Sequence, residues 1–85
     1  MKQFSYVLTC LDGLHVRRVN ALAREAARFS SSVRIYKGEL CAAADNFKAL
    51  LALGAVGGDR VRVMVDGRDE EAAVAAMQYH FVSNL

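Results

Sequence analysis

Apolar residues in this chain switch repeatedly between two spacings, and no other feature of the sequence constrains the fold as strongly. Alternation of apolar and polar residues predicts a β-strand, whereas apolar residues three and four positions apart predict an amphipathic helix. The clearest alternation lies in residues 59–66, where valine occupies positions 61, 63 and 65. The clearest helical spacing lies in residues 16–29, whose arginines fall mostly off the apolar stripe. The chain therefore mixes strands and helices along its length.

The predicted elements follow the order strand, helix, strand, strand, helix, strand, helix. The strands span 3–10, 32–37, 40–43 and 59–66, and the helices span 16–29, the segment from Asp45 or Asn46 to Leu53, and the segment after Asp69. Breaks between them are predicted at Asp12–Gly13, at the Gly38 turn and at Gly57–Gly58. Four strands with segregated helices favour an α+β fold, a four-stranded antiparallel sheet with three helices on one face (βαββαβα).

Composition limits the protein to a few classes. Eighty-five residues suit a single domain, residues 1–85, and a hydrophobic fraction of 54% argues against intrinsic disorder. A net charge of +2 is small for a nucleic-acid-binding domain, so no nucleic acid is expected. Two cysteines do not suggest a disulfide scaffold, so we expect reduced cysteines in a cytoplasmic protein. Cys10 and Cys41 also lack metal-ligand spacing, so neither a metal nor a cofactor is expected. Residues 72–85 are uncharged but shorter than the ~20 residues of a membrane span, so no membrane insertion is expected.

The start of the first predicted helix breaks a rule that the other two follow. Those two have capping or acidic residues at their start: Asp45 or Asn46 for the second, and Asp69, Glu70 and Glu71 for the third. The first helix begins instead with His15, Arg17 and Arg18. Cations there oppose the helix dipole, at a cost of roughly 0.3–1 kcal/mol each when exposed. Such a departure is typical of a functional site, and it predicts an anion at this helix start.

Residues 13–18 contain what a phosphoryl carrier needs. First-turn amides such as that of Val16 would donate to the anion, and Arg17 and Arg18 would add charge-assisted contacts. His15 supplies a neutral imidazole nitrogen, a good nucleophile near neutral pH, and Gly13 permits a sharp turn. The alternative interpretation makes His15 an ordinary surface residue before a helix, with both arginines solvated.

The motif Gly13-Leu14-His15-Val16-Arg17 resembles that of the HPr family, the histidine-containing phosphocarriers of the bacterial sugar phosphotransferase system. The resemblance covers the whole chain without an evident gap. It includes these further features: Glu25-Ala26, Phe29, the Gly38 turn, Leu53-Gly54 and residues 67–74. It implies an HPr-like open-faced β-sandwich of four antiparallel strands and three helices, which agrees with the fold class that the spacing predicts.

The resemblance also implies a function and its partners. His15 would accept a phosphoryl group on its ring Nδ1 from phosphorylated enzyme I, and pass it to the A domain of a sugar-specific enzyme II, with Arg17 assisting. Partners would dock on the start of the first helix and on the second helix, through Phe47, Lys48 and Leu51. Such a protein is a phosphohistidine carrier rather than a self-contained enzyme. Nothing in the sequence requires a dimer, so a monomer is expected.

Two positions depart from the family pattern. The family usually has Pro directly after the Arg of the motif, where this chain has Arg18, and the chain contains no Pro at all. An alternative function is therefore an HPr-like regulatory or binding module with altered or no phosphotransfer. We expect Arg18→Pro to fold and to change the transfer rate more than stability. Asn46 replaces a Ser that is phosphorylated in many Gram-positive members, so that regulation should be absent while the helix cap remains.

Other candidate residues have simpler interpretations. His80 fits a partly exposed residue of the last helix, because no partner in the sequence supports a second catalytic role. Arg60, Arg62 and Arg68 could form a basic stripe for nucleic acid, but alternation places the first two on a solvated strand face, and no aromatic residue lies between them.

Overall fold

The computed structural model describes residues 1–11 and 13–85 and confirms the predicted α+β fold. Four antiparallel strands form one sheet in the order β1-β4-β2-β3, and three helices cover one of its faces. In chain order the elements are β1 (Lys2–Val7), α1 (Val16–Ala26), β2 (Ser32–Lys37), β3 (Leu40–Ala43), α2 (Phe47–Ala52), β4 (Arg60–Asp66) and α3 (Glu70–Asn84). Asp12, half of the predicted Asp12–Gly13 break, lies outside the described residues.

The central strand β4 supplies the middle of the hydrophobic core. Val61, Val63 and Val65 are fully buried, because strand alternation turns all three toward the helices. β1 and β2 flank β4 on either side, and Phe4 and Ile35 are both register partners of Val63. Cross-strand partners share a face of the sheet, so the apolar residues of three strands form one continuous surface under the helices.

The long helix α3 closes this core with one stripe of buried apolar residues. Ala73, Met77 and Phe81 are buried at four-residue spacing, whereas Val74 is only partly buried against the core. The Phe81 ring packs edge-on against the rings of Phe4 and Tyr6, with 5.6 Å between centroids in each pair. Edge-to-face geometry is favourable for aromatic pairs, so these contacts fasten α3 to β1.

Two elements end earlier than the spacing predicts. β1 ends at Val7 rather than at Cys10, because the backbone amides of Thr9 and Cys10 donate to the carbonyl oxygen of Leu85 instead of to a neighbouring strand. α1 ends at Ala26 rather than at Phe29, and the Phe29 amide then bonds three residues back, to Ala26, in a tightened final turn.

Asp69 occupies the predicted cap position of α3, but its side chain does not cap that helix. Its carboxylate instead accepts hydrogen bonds from the backbone amides of Ser30 and Ser31, each 2.9 Å long, and from the Ser31 hydroxyl. These bonds, the one from the Ser31 hydroxyl foremost, hold the pKa of Asp69 below its ordinary value. The interaction ties the segment after α1 to the start of α3.

His80 of α3 is partly exposed, as predicted, and its pKa is lowered. Burial disfavours the charged imidazolium, and this effect outweighs the attraction of the Glu25 carboxylate, which acts in the opposite direction. Its Nε2 is buried and lacks a hydrogen-bond partner within the described part of the chain. The folded state therefore favours the neutral form of His80 more strongly than the unfolded state does.

This predicts a loss of stability on mild acidification. As pH falls below the ordinary histidine pKa of about 6.5, the unfolded chain takes up a proton at position 80 before the folded protein does, so the free energy of unfolding decreases. The measurement is urea unfolding at pH 7.5 and 5.5 in a His15→Ala background, where His80 is the sole remaining histidine. His80→Gln in that background should flatten the pH dependence, and an unchanged slope would contradict this assignment.

Candidate functional site

His15 lies at the N-terminal cap of α1, as predicted. Its backbone is extended (φ −102°, ψ 178°), and its carbonyl oxygen accepts the first helical hydrogen bond, 2.9 Å from the Val19 amide. Its side chain makes no capping bond, and the first turn contains no acidic residue. The amides of Val16 and Arg17 have no acceptor inside the helix, as in any first turn. The partly exposed His15 side chain therefore stands beside amides that have no acceptor within α1, at the positive end of the helix dipole.

The backbone before His15 is fixed by close contact with the segment that follows α2. The Leu14 amide donates to the Ala55 carbonyl at 2.9 Å, and the Leu14 side chain is buried. Gly13 adopts φ +61°, and a Cβ atom at this position would lie 2.1 Å from the Ala55 carbonyl oxygen. Only glycine fits both the left-handed backbone and this approach. Gly13 is therefore required by the contact that positions His15.

The opposing segment is itself well held, which the sequence did not indicate. Gly57, predicted to lie in a break between elements, packs against the segment that follows β1, and a Cβ atom there would be 2.6 Å from the Cys10 carbonyl oxygen. The Asp59 carboxylate accepts from the Val56 amide at 2.9 Å and lies 3.4 Å from Lys37 Nζ. Both interactions lower the pKa of Asp59, the Val56 hydrogen bond more strongly. The segment that contacts Gly13 and Leu14 is thus stabilised by a hydrogen bond from a backbone amide to a carboxylate and by an ion pair.

The two arginines of the first turn differ in exposure and in hydrogen bonding. Arg17 is exposed beside His15 in the chain, whereas Arg18 is partly buried. The Nη1 of Arg18 donates to the Asn84 carbonyl oxygen at 2.5 Å, and its Nε is buried without a partner among the described residues. A cation at the end of α3 complements that helix dipole. Phosphate binding by Arg17 and Arg18 stays a prediction, and for Arg18 it would require exchange of the Asn84 oxygen for a phosphate oxygen.

The short helix α2 presents the second predicted surface. Phe47 and Lys48 are exposed and Leu51 is partly buried, while Leu50 is completely buried and anchors the helix to the core. Asn46 caps the helix as predicted, its Oδ1 accepting from the Ala49 amide at 3.1 Å. α2 also packs against α1, so its exposed side chains share the helix-bearing side of the protein with His15. Their role in docking stays a prediction.

The described residues show neither a metal cluster nor a membrane-spanning helix. No group of three His, Cys, Asp or Glu side chains in residues 1–11 and 13–85 is arranged to hold a metal ion. No helix in these ranges is long and apolar enough to cross a bilayer. Cys10 is partly buried and Cys41 exposed, and both are free thiols.

The close approach at Gly13 predicts a large stability effect with a matched control. Gly13→Ala should lower the free energy of unfolding by about 3 kcal/mol or more, because the left-handed backbone and the clash with Ala55 act together. Gly38 has nearly the same φ, +59°, but open space where a Cβ would lie. Gly38→Ala should cost only about 1–2 kcal/mol. Urea unfolding of both variants checks this, and equal losses would contradict the proposed close contact.

The bond from Arg18 to Asn84 changes the expectation for Arg18→Pro. Proline is compatible with a first helical turn, but the substitution removes a charged hydrogen bond, so we expect a loss of about 1–2 kcal/mol. Arg18→Gln should cost a similar amount, and Arg17→Gln, which removes the same charge from an exposed side chain, close to zero. Thermal and urea unfolding of the three variants measure this. Equal stability of all three would show that the Asn84 contact contributes nothing.

Comparisons with known proteins agree with this geometry. The family model described as "PTS HPr component phosphorylation site" matches residues 2–82. The phosphocarrier protein HPr of Mycoplasma capricolum is 31% identical over 78 residues, covering 92% of this chain and 88% of that protein. The HPr of Mycoplasma genitalium is 32% identical over 81 residues, covering 92% and 90%.

Solved structures give the same result. A Mycoplasma histidine-containing phosphocarrier protein superposes with a TM-score of 0.92 at 28% identity, covering 96% of this chain and 93% of that one. Since the family model spans nearly the whole chain and the fold coincides with that of solved members, this chain belongs to the HPr family of phosphocarrier proteins of the phosphotransferase system.

Proposed function

We propose that this protein carries a phosphoryl group on His15, from phosphorylated enzyme I to the A domain of an enzyme II, in the cytoplasm and as a monomer. The observation that carries the proposal is the position of His15 at the start of a helix whose first turn has cationic and no acidic side chains. Membership of the family supports the same role.

The chemistry needs only a nucleophile and a cradle for negative charge. A lone pair on the His15 ring, at Nδ1 by resemblance to the family, forms a bond to phosphorus as the bond between phosphorus and its donor atom on enzyme I breaks. The electron pair of that bond returns to the donor. The reverse sequence delivers the group to the next partner. No proton needs to be removed from a neutral imidazole at the attacking nitrogen.

The surroundings of His15 supply the charge stabilisation. The amides of Val16 and Arg17, which have no acceptor within α1, lie at the helix end where the dipole is positive. The exposed Arg17 guanidinium can add a forked contact to two phosphoryl oxygens. These donors are in place before the phosphoryl group arrives, so they need little reorganisation during transfer. Arg18 contributes a further contact only by releasing Asn84.

Docking would use the exposed part of α2. Phe47 offers an aromatic contact, Lys48 a charge and Leu51 a partly buried apolar edge. Aromatic side chains such as Phe are enriched at protein interfaces, so Phe47 is the main candidate anchor. Because Leu50 holds α2 to the core, these side chains would meet a partner on a fixed backbone.

Phosphorylation by enzyme I and phosphoenolpyruvate tests the proposal. Intact-mass measurement should find one added, acid-labile phosphoryl group in the natural protein and none in His15→Ala. Arg17→Gln should slow the transfer by about a hundredfold, the usual effect of removing one donor that stabilises charge. Arg24→Gln is the matched control, since it removes an exposed charge from the other end of α1.

Three results would overturn the proposal: no mass gain, a gain that survives His15→Ala, or equal slowing by Arg17→Gln and Arg24→Gln. Phosphorylation without onward transfer to any enzyme II A domain would instead favour the regulatory or binding module.

A further inference from the structure

The sheet face opposite the helices is exposed and basic. Strand alternation places Arg34 and Tyr36 of β2, Arg60 and Arg62 of β4, and Ser5 of β1 on this side, which we call the basic sheet face. Arg62 is the register partner of Ser5 on one side and of Tyr36 on the other, so the three form a row across the sheet. α1, with His15 at its start, lies on the other face.

The three arginines of the basic sheet face lack ionic partners. None of the ion pairs among the described residues includes Arg34, Arg60 or Arg62. Within the paired strands, the single carboxylate on this face is Asp66, at the far end of β4, 3.8 Å from the amino group of Met1. Guanidinium groups repel one another when crowded, so an uncompensated set of this kind favours an anionic partner.

The Tyr36 ring positions the guanidinium of Arg62 on the basic sheet face. The Arg62 guanidinium carbon lies 4.8 Å from the centre of the Tyr36 ring, in a cation–π contact. A shallow recess of about 240 Å³ lies beside this pair and is lined by Ser5, Arg60 and Arg62, among others. A stacked guanidinium loses little further freedom when it binds a carboxylate through both of its N–H groups.

We propose that the basic sheet face binds an acidic segment of a partner protein, whose carboxylates pair with Arg60, Arg62 and Arg34. A protein is favoured over a nucleic acid because Tyr36 is the single aromatic residue on the paired strands of this face, and Arg62 covers its ring. Recognition of single-stranded nucleic acids relies on aromatic rings that are free to stack on bases. Since this surface lies on the other side of the sheet from α1, a partner bound there leaves His15 accessible.

The test uses a fluorescently labelled peptide of twelve glutamates and the full chain. Binding should be measurable by anisotropy at low salt, and Arg60→Gln/Arg62→Gln should weaken it at least tenfold. Arg24→Gln/Arg68→Gln removes the same charge from exposed positions outside this face and should weaken it less than twofold. A twelve-residue oligothymidylate serves as the nucleic-acid probe and should bind more weakly than the peptide.

Several outcomes would overturn the proposal. These are equal weakening by the two double variants, no weakening by Arg60→Gln/Arg62→Gln, and tighter binding of the oligothymidylate than of the peptide. Amide chemical-shift mapping on the natural protein gives an independent answer that needs no variant. Shifts should cluster at Ser5, Tyr36, Arg60 and Arg62, and a cluster at Val16 and Arg17 would place the peptide at the phosphoryl site instead.

Discussion

The row of valines in β4 is the packing interaction on which the rest of the protein depends. Val61, Val63 and Val65 lie in the middle of the sheet, fully buried, with β1 and β2 paired on either side and α3 packed above. Because side chains of a strand alternate strictly, the register that buries these valines also turns Arg60 and Arg62 outward. One periodic segment thus defines both the core and the charge of the opposite face.

The proposed phosphoryl site is joined to this core through two loops, which approach closely because each has a glycine at the point of contact. Gly13 and Gly57 have no side chains to separate the segment before α1 from the segment before β4. The Leu14 amide and the Ala55 carbonyl then satisfy each other, so the backbone that leads into His15 is paired rather than solvated. If His15 is the nucleophile we propose, this backbone needs little ordering when a partner arrives, which favours transfer.

The sequence predicted most of the fold because its signals are local. Alternating valines, the Gly38 turn and the Asn46 cap each act over a few residues, and all three were identified correctly. The features that escaped prediction join distant segments. Asp69 has the residue type and position of a cap, yet it bonds to Ser30 and Ser31, 39 and 38 residues away. Arg18 pairs with a carbonyl 66 residues along the chain, which no local pattern could reveal. At the site, the motif located His15, but spacing could not show that Arg18 bonds to the end of α3.

These two long-range contacts together have a mechanical consequence for α1. Arg18 joins the start of α1 to the end of α3, and the Asp69 carboxylate joins the segment after α1 to the start of α3. The two helices therefore run in opposite directions and are fastened near both ends. A helix held at one end can rotate about that contact, whereas contacts near both ends restrict its rotation and translation. A partner that docks at the first turn is therefore expected to leave the proposed phosphoryl site in the same position relative to α3 and the sheet.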